Sequence, residues 1–439
     1  MDAWRLTEAV NLRPEAFGGM AFHREQGITV EMDEEAYRFL CTYLEPHPLP
    51  APDHAAAHLV PQLVRLGFLR SAEGNTLSRD GVEVRSVRAW NPAPPSGNGY
   101  TLSAPEVVHV AITARCTRSC PGCYVSHVED GPELTVAEWY ALIDQWASTR
   151  VFQLAVGGGE PLLYEGLFDV LRYARMQGIV PNLTTNGTLL DTKTVRELER
   201  AGVARVNVSW NGPVDDDGGG CQAVCRALRL LLGSTLQVGV NLLVTPALLS
   251  RLHQVLARLH ALGVRQVTVL RPKPPAVPIE AGKAWYEVNR LRRPDLLCLR
   301  EALNAWQGVL RIEVGSALVG LIGDTEPALL RRRGIYGCAA GRRMCTIWPD
   351  GRVMPCSFLA DLDAGNVRRM PFDALWARGE SWEWLRDPTT RPGGGCAGCA
   401  AEPQCGGARC VARYERGDPF AGDAGCPHQG NGKGGLPDE

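Results

Sequence analysis

The chain contains no uninterrupted apolar run approaching the ~18 residues of a membrane helix. Its opening residues, Met1-Asp2-Ala3-Trp4-Arg5, have none of the pattern of a secretory signal. Net charge is nearly absent as well, since 46 Lys and Arg against 48 Asp and Glu leave −2. That balance argues against broad binding to nucleic acid or an anionic membrane. The apolar fraction of 45% and charged fraction of 21% are ordinary for a soluble globular protein. At 439 residues the chain is long enough for two or three domains.

Cysteine, by contrast, is plentiful. The 15 residues are an odd number, and several stand at C-x2-C spacing. With no secretion signal, this usage fits a cytoplasmic setting and metal ligation rather than disulfides. One block is Cys116-x3-Cys120-x2-Cys123, followed at once by Tyr124, and a second runs Cys338, Cys345, Cys356, Cys396, Cys399, Cys405, Cys410 and Cys426. Three close thiolates can hold three irons of a four-iron cube and leave the fourth open, whereas four close it. The first block therefore reads as a reactive cluster, and the second has sulfur for two closed ones. Zinc is the competing occupant, although its sites favour C-x2-C pairs with four ligands.

Between the ends of the chain, strand and helix signals alternate. Strands are expected at 107–112, 153–156, 180–184, 205–209, 238–244 and 266–270, with helices between them. The capping box Thr135-x-x-Glu138 opens one of these helices. Six βα repeats imply an α/β fold built on a parallel sheet, a partial (β/α)6 barrel of the TIM type over residues 105–300. Chemistry in such barrels sits at the carboxyl ends of the strands. The first cysteine block and the glycine run at 157–159 both follow predicted strands directly.

Ahead of the barrel, residues 1–70 read as a small winged-helix-like module. Strands at 18–22 and 28–30 turn at Gln26-Gly27, Asp33 caps a helix, and a later helix through Leu59, Leu63 and Leu66 ends at Gly67. Residues 71–104 read as a linker, 301–335 as a bridging region containing a solvated turn at Arg331-Arg332-Arg333, 336–429 as a metal-rich domain, and 430–439 as a disordered tail. Asp215-Asp216-Asp217-Gly218-Gly219-Gly220 reads as a flexible loop. Cys41, Cys221, Cys225 and Cys298 belong to neither block and are expected to be small buried apolar groups.

The run Val110-Ala111-Ile112-Thr113-Ala114-Arg115-Cys116 through Cys123-Tyr124 resembles the signature of the radical S-adenosylmethionine (SAM) superfamily. Gly157-Gly158-Gly159-Glu160-Pro161 is similar to its glycine–glutamate motif, and Thr185-Asn186-Gly187-Thr188-Leu189-Leu190 to the segment after its third strand. The resemblance implies that Cys116, Cys120 and Cys123 hold a [4Fe–4S] cluster whose open iron is chelated by SAM. Gly157, Gly158 and Gly159 would let the backbone approach SAM, and Glu160 would pair with its amino group. Tyr124, Asn186 and Ser209 are further candidate SAM contacts. Ser209-Trp210-Asn211-Gly212 departs from the family, which often has Asp where Asn211 stands.

Cys338-x12-Gly351-x4-Cys356, within Ile347-Trp348-Pro349-Asp350-Gly351-x-Val353-x-Pro355-Cys356, resembles the SPASM auxiliary-cluster domain, as does Cys396-x2-Cys399-x5-Cys405 with Cys426. By that resemblance Cys338, Cys345, Cys356 and Cys410 hold one auxiliary cluster, and Cys396, Cys399, Cys405 and Cys426 the other. The family expects three residues between the equivalents of Cys405 and Cys410, whereas Gly406-Gly407-Ala408-Arg409 makes four. Either the backbone bulges and Cys410 still reaches iron, or that cluster has an open site; the glycines favour the bulge.

Leu12-Arg13-Pro14-Glu15-x-Phe17-Gly18-Gly19 through Leu40, followed by Leu63-x-x-Leu66-Gly67-Phe68-Leu69, resembles the PqqD-like peptide-recognition element. Such elements bind a leader peptide by adding a strand to their sheet. A DNA-binding winged helix competes with this reading, but residues 1–104 carry nine Lys and Arg against 13 Asp and Glu, the wrong balance for phosphate contacts. Together these resemblances imply a peptide-modifying radical SAM/SPASM enzyme. It would cleave SAM to a 5′-deoxyadenosyl radical, abstract hydrogen from a precursor peptide, and draw electrons from flavodoxin or ferredoxin. Alternatives are a related enzyme on a small molecule such as a haem-pathway intermediate, or a non-catalytic Fe–S peptide-binding scaffold.

Overall fold

The computed structural model describes residues 3–51, 55–72, 101–125, 131–211, 220–275, 280–322, 337–378, 380–387, 393, 396–397, 399, 402–426 and 428. Most of the expected linker, the loop at 215–219, the arginine turn at 331–333 and the C-terminal tail lie outside the described residues.

The core is one sheet. Its strands are β7 (Val107–Thr113), β8 (Gln153–Gly158), β9 (Val180–Thr185), β10 (Arg205–Trp210), β11 (Gln237–Leu243), β12 (Gln266–Leu270), β13 (Arg311–Val314), β14 (Met344–Ile347) and β15 (Val353–Met354). They stand in the order β13-β12-β11-β10-β9-β8-β7-β14-β15 and are parallel except for the terminal β14–β15 pair. The six expected strands are β7 to β12. The sheet continues through β13, inside the expected bridging region, and through β14, inside the cysteine-rich region, so it crosses both expected boundaries. Short strands of four residues carry too weak a pattern to separate them from loops by sequence.

Alternation along the strands divides the sheet into two faces. Val108, Val110, Leu154, Val156, Leu183, Val206, Val208, Val240, Leu242, Val267 and Val269 are buried in the main apolar core with the covering helices. The opposite face carries Asn182, Thr184, Asn207, Ser209, Asn241 and Thr268, all half-buried. This inner face of the partial barrel is polar, where a filled barrel would carry branched apolar side chains. Gly239 makes room for the Asn207 side chain, because a Cβ there would lie 2.2 Å from its Oδ1.

Residues 3–72 form two small sheets. Strands β1 (Ala3–Leu6), β5 (His47–Pro48) and β6 (Leu69–Ser71) make one; β2 (Val10–Glu15), β3 (Gly18–His23) and β4 (Ile28–Met32) make the other, in the order β2-β3-β4. Asp33 caps the helix Glu34–Cys41 by accepting from the Ala36 N–H at 2.9 Å. Gly19 abuts the Tyr37 ring so closely that a Cβ would lie 2.1 Å from it.

This N-terminal unit is anchored to the amino ends of the barrel strands. Met20 and Phe22 pack with Leu102, Phe152 and Val180, and the Phe22 and Phe152 rings stack at 5.1 Å. Arg13, fully buried, pairs with Glu15 at 2.7 Å and donates to the Pro105 and Arg150 carbonyls at 3.0 and 2.9 Å. Burial lowers the Arg13 pKa, against the pull of Glu15 and Glu106. Glu106, immediately before β7, accepts from Thr29 at 2.6 Å and from Arg343 at 2.7 Å.

Of the four cysteines outside the blocks, Cys225 is buried as expected and Cys41 is half-buried beside Tyr37. Cys298 is exposed, contrary to the expectation, because the helix Arg293–Ala305 turns that position away from its buried face of Leu296, Leu299 and Leu303. The side chain of Cys221 lies outside the described residues.

Replacing Arg13 by Met keeps apolar contact with Phe152 but leaves the buried Glu15 carboxylate without its cation. The expected loss is roughly 3–5 kcal/mol in urea unfolding, most of it recovered in the Arg13→Met/Glu15→Gln double variant.

Candidate active site

The first cysteine block leaves the carboxyl end of β7. Cys116 is exposed, while Cys120 and Cys123 are half-buried. The loop is tightly wound: the Arg118 N–H points to Cys116 Sγ at 3.4 Å, and the Cys123 N–H donates to the Cys120 carbonyl at 3.1 Å. Gly122 lies flat against Trp285, whose ring a Cβ would meet at 2.3 Å. Burial raises the Cys120 pKa, offset in part by Arg118.

The glycine run after β8 divides by position. Gly158, at φ +114°, would place a Cβ 2.6 Å from the Thr113 carbonyl oxygen, and Gly159 would place one 2.2 Å from that of Arg115. Their glycines are needed because the protein's own backbone approaches. The Gly159 and Glu160 N–H groups donate at 2.8 Å to the carbonyls of Thr113 and Arg115. Gly157 differs, since a Cβ there would meet only Tyr124 Oη, at 3.6 Å, and Thr184 Cβ, at 3.9 Å. Both are ordinary contact distances, so the protein's own packing does not require glycine at this inner-face position.

Glu160, expected to pair with the SAM amino group, is also held within the protein. Its side chain is fully buried and accepts from Thr185 Oγ1 and the Asn186 N–H at 2.8 Å, and from the Leu162 N–H at 3.3 Å. Burial raises its pKa against these three bonds. In this arrangement Glu160 ties the β8 loop to the end of β9.

Asn186 continues that chain of contacts. Its Oδ1 accepts from the Thr188 N–H at 2.9 Å, and its Nδ2 donates to Thr117 Oγ1 at 3.0 Å and points to Cys116 Sγ at 3.7 Å. Thr117 and Thr188 also share a hydrogen bond of 2.7 Å. Asn186 thereby clamps the cysteine loop. Tyr124 Oη accepts from the Gly158 N–H at 3.2 Å, so the aromatic residue after the third cysteine joins the two motifs. Ser209 lies half-buried on the inner face, in register with Asn241.

Of the second block, Cys338, Cys356 and Cys410 influence one another. Burial pushes the Cys410 thiol up to about 12, and Lys273 opposes the shift. The extra residue before Cys410 is absorbed by Gly406 and Gly407, both left-handed at φ +57° and +72°.

Cys345, expected to join them, stands on β14. It pairs with Val108 in the β14–β7 ladder and is completely buried in the apolar core, on the face opposite Thr346 and His109. Burial raises its pKa, and Arg386 rather than another thiol is the charge it feels. The spacing cannot show this, because strand alternation decides which face a residue takes. His109, across from Thr346, is held down to about 4 by burial and by Lys273.

Cys396, Cys399, Cys405 and Cys426 converge at a second position. A Cβ on Gly320 would lie 3.7 Å from both Cys405 Sγ and Cys426 Sγ. A cavity opens there, lined by Cys396, Cys405 and Cys426 with Arg271 and Asp423. Burial pushes Cys405 up to about 12 and Cys426 up to about 11, so metal must compete with protons for these thiols. Among the described residues no three His, Cys, Asp or Glu side chains close on a single metal ion. Sequence reasoning missed Arg271, Asp423, Lys273 and His109; no local motif marks them, since each reaches its site from a distant element.

Residues 110–270 match the radical SAM superfamily, and residues 338–400 match the SPASM iron–sulfur cluster-binding domain. This chain carries a radical SAM domain and a SPASM domain. Both domains imply [4Fe–4S] clusters. It is 27% identical over 341 residues to the AdoMet-dependent heme synthase of Methanosarcina barkeri, covering 72% of this chain and 94% of that protein. It is also 27% identical over 342 residues to the PqqA peptide cyclase of Gluconobacter oxydans, covering 74% and 92%. In fold it is similar to Streptococcus suis SuiB bound to its precursor peptide SuiA, with a TM-score of 0.70, 16% identity, and 96% and 99% of the two chains covered. No described helix is long and apolar enough to cross a membrane.

Two pairs of substitutions separate these roles. Gly157→Ala is expected to keep the melting temperature and iron content but weaken SAM binding at least about tenfold by calorimetry, the cost of a ~1.4 kcal/mol clash. Gly159→Ala should lose iron, because the clash lies within the cluster loop. Cys345→Ala is expected to leave iron unchanged, whereas Cys356→Ala should lose about four irons per chain.

Proposed function

We propose that this protein is a radical SAM enzyme that modifies a ribosomally made precursor peptide by hydrogen abstraction, yielding a crosslink, an epimer or an oxidised residue. The observation carrying the reading is the N-terminal unit, whose β2-β3-β4 sheet ends in the edge strand β4 and is fixed to the barrel through Arg13, Phe22 and Phe152. An edge strand is a docking rail for an extended peptide. The fold likeness to SuiB, a protein seen with its precursor peptide, supports the reading. So does the similarity to a PqqA peptide cyclase.

When bound at the first cysteine block, SAM and its cluster supply a 5′-deoxyadenosyl radical after one-electron reduction. Cys116, Cys120 and Cys123 would hold that cluster, with Asn186 fixing their loop. The inner face at Gly157 would receive the cofactor, and the Gly158–Glu160 brace would keep it in place. The inner-face amides of Asn182, Asn207 and Asn241 would hold polar groups of the substrate. Cys338, Cys356 and Cys410, and then Cys396, Cys399, Cys405 and Cys426, would hold auxiliary clusters that pass electrons. An external flavodoxin or ferredoxin would supply the first electron.

The N-terminal unit sits at the amino ends of the strands and the cysteine loop at their carboxyl ends. Six-residue strands span roughly 20 Å, so leader and modified residue need a spacer of at least about six extended residues. A second reading, action on a tetrapyrrole, draws on the 27% identity to the Methanosarcina barkeri heme synthase.

The deciding experiment is anaerobic turnover with SAM, reductant and the peptide of a neighbouring short reading frame. A mass change in the peptide with matching 5′-deoxyadenosine is expected; turnover only on a tetrapyrrole would establish the second reading instead. Hydrogen exchange should show the Ile28–Met32 amides protected when the peptide is added. Unchanged exchange there, with protection confined to the barrel, would remove the docking role.

A further inference from the structure

Arg271 follows β12 at the carboxyl end of the barrel, yet its side chain is turned into the cysteine-rich region and is 2% exposed. Its Nη1 pairs with Asp423 Oδ2, and Asp423 Oδ1 accepts from the Gly425 N–H at 3.0 Å. The Asp423 backbone N–H in turn points to the Cys396 thiol, lowering its pKa against burial. The guanidinium is therefore held in one orientation. Its Nε–H is buried and has no acceptor among the described residues. Arg271 lines the cavity together with Cys396, Cys405 and Cys426.

A buried N–H without an acceptor is unfavourable, and here the arginine borders a space lined by thiols. An iron–sulfur cluster on these cysteines would present sulfur acceptors to it. Hydrogen bonds to cluster sulfur stabilise the reduced state, which carries more negative charge. Asp423 neutralises the guanidinium, so the contribution is directional rather than a bare positive charge.

We propose that Arg271 donates its Nε–H to the cluster held by Cys396, Cys399, Cys405 and Cys426, and sets that cluster's reduction potential as a positioning residue anchored in the barrel. The inference rests on these four thiols being ligands. If Cys396→Ala keeps the full iron content, that assignment fails, independently of Arg271.

The test uses full-length, reconstituted protein carrying heavy-nitrogen-labelled arginine. A background of Cys116→Ala, Cys120→Ala, Cys123→Ala and Cys356→Ala leaves the signal of this one cluster. Pulsed EPR of the reduced cluster should show coupling to an arginine nitrogen, lost in Arg271→Lys. At the potential where the parent is half reduced, Arg271→Lys should lower the reduced-to-oxidised ratio about tenfold, equal to 59 mV for one electron. Asp423→Asn, which uncovers the Arg271 charge, should shift the potential upwards. Persistence of the coupling in Arg271→Lys, or unchanged potentials in both variants with iron retained, overturns the proposal. Should Arg271→Lys lose iron, the parent coupling decides: its absence overturns the proposal and its presence supports it.

Discussion

Everything at the carboxyl end of this barrel depends on how closely two stretches of backbone approach. Gly158 and Gly159 lie against Thr113 and Arg115 at separations that leave no room for a Cβ. Two 2.8 Å hydrogen bonds fasten the loops together. That contact sets where the chain enters Cys116. Glu160, sealed behind it, carries the same constraint to Thr185 and Asn186, and Asn186 returns it to the cysteine loop through Thr117. The three motifs form one closed circuit of hydrogen bonds around the place where a cofactor would sit.

Much of this was legible in the sequence because the signals were local. Period-two alternation marked β7 to β12, Asp33 and Thr135 marked helix starts, and the cysteine spacing marked the reactive loop. Other features depended on partners far along the chain. β13 and β14 are too short to announce themselves and are strands because β12 and β7 offer them an edge. Cys345 has the spacing of a ligand, but the alternation of β14 turns it into the apolar core. Cys410 breaks the family spacing, and the two glycines in the lengthened stretch before it are both left-handed. Residue types were readable; the face each would occupy followed only from pairing.

The glycine run shows the same distinction within three residues. As sequence, Gly157, Gly158 and Gly159 look equivalent, and all suggest close approach to a ligand. In the fold, two make way for the protein's own backbone, and the third is required by no neighbour within the protein. Glu160 likewise has the identity expected of a cofactor contact and, within the protein, braces the β8 loop against the end of β9. Such second-layer residues hold a site as firmly as the groups lining it.

β14 is shared property. It begins six residues after Cys338, carries Cys345, and pairs with β7, the strand that delivers Cys116. The barrel and the metal-rich region therefore cannot come apart without unzipping a common ladder. Stripping iron from one would loosen the edge that aims the other, so the two should melt as a single cooperative unit. A C-terminal region grafted from a relative would bring its own edge strand, and success would hinge on whether that strand finds the same register on β7.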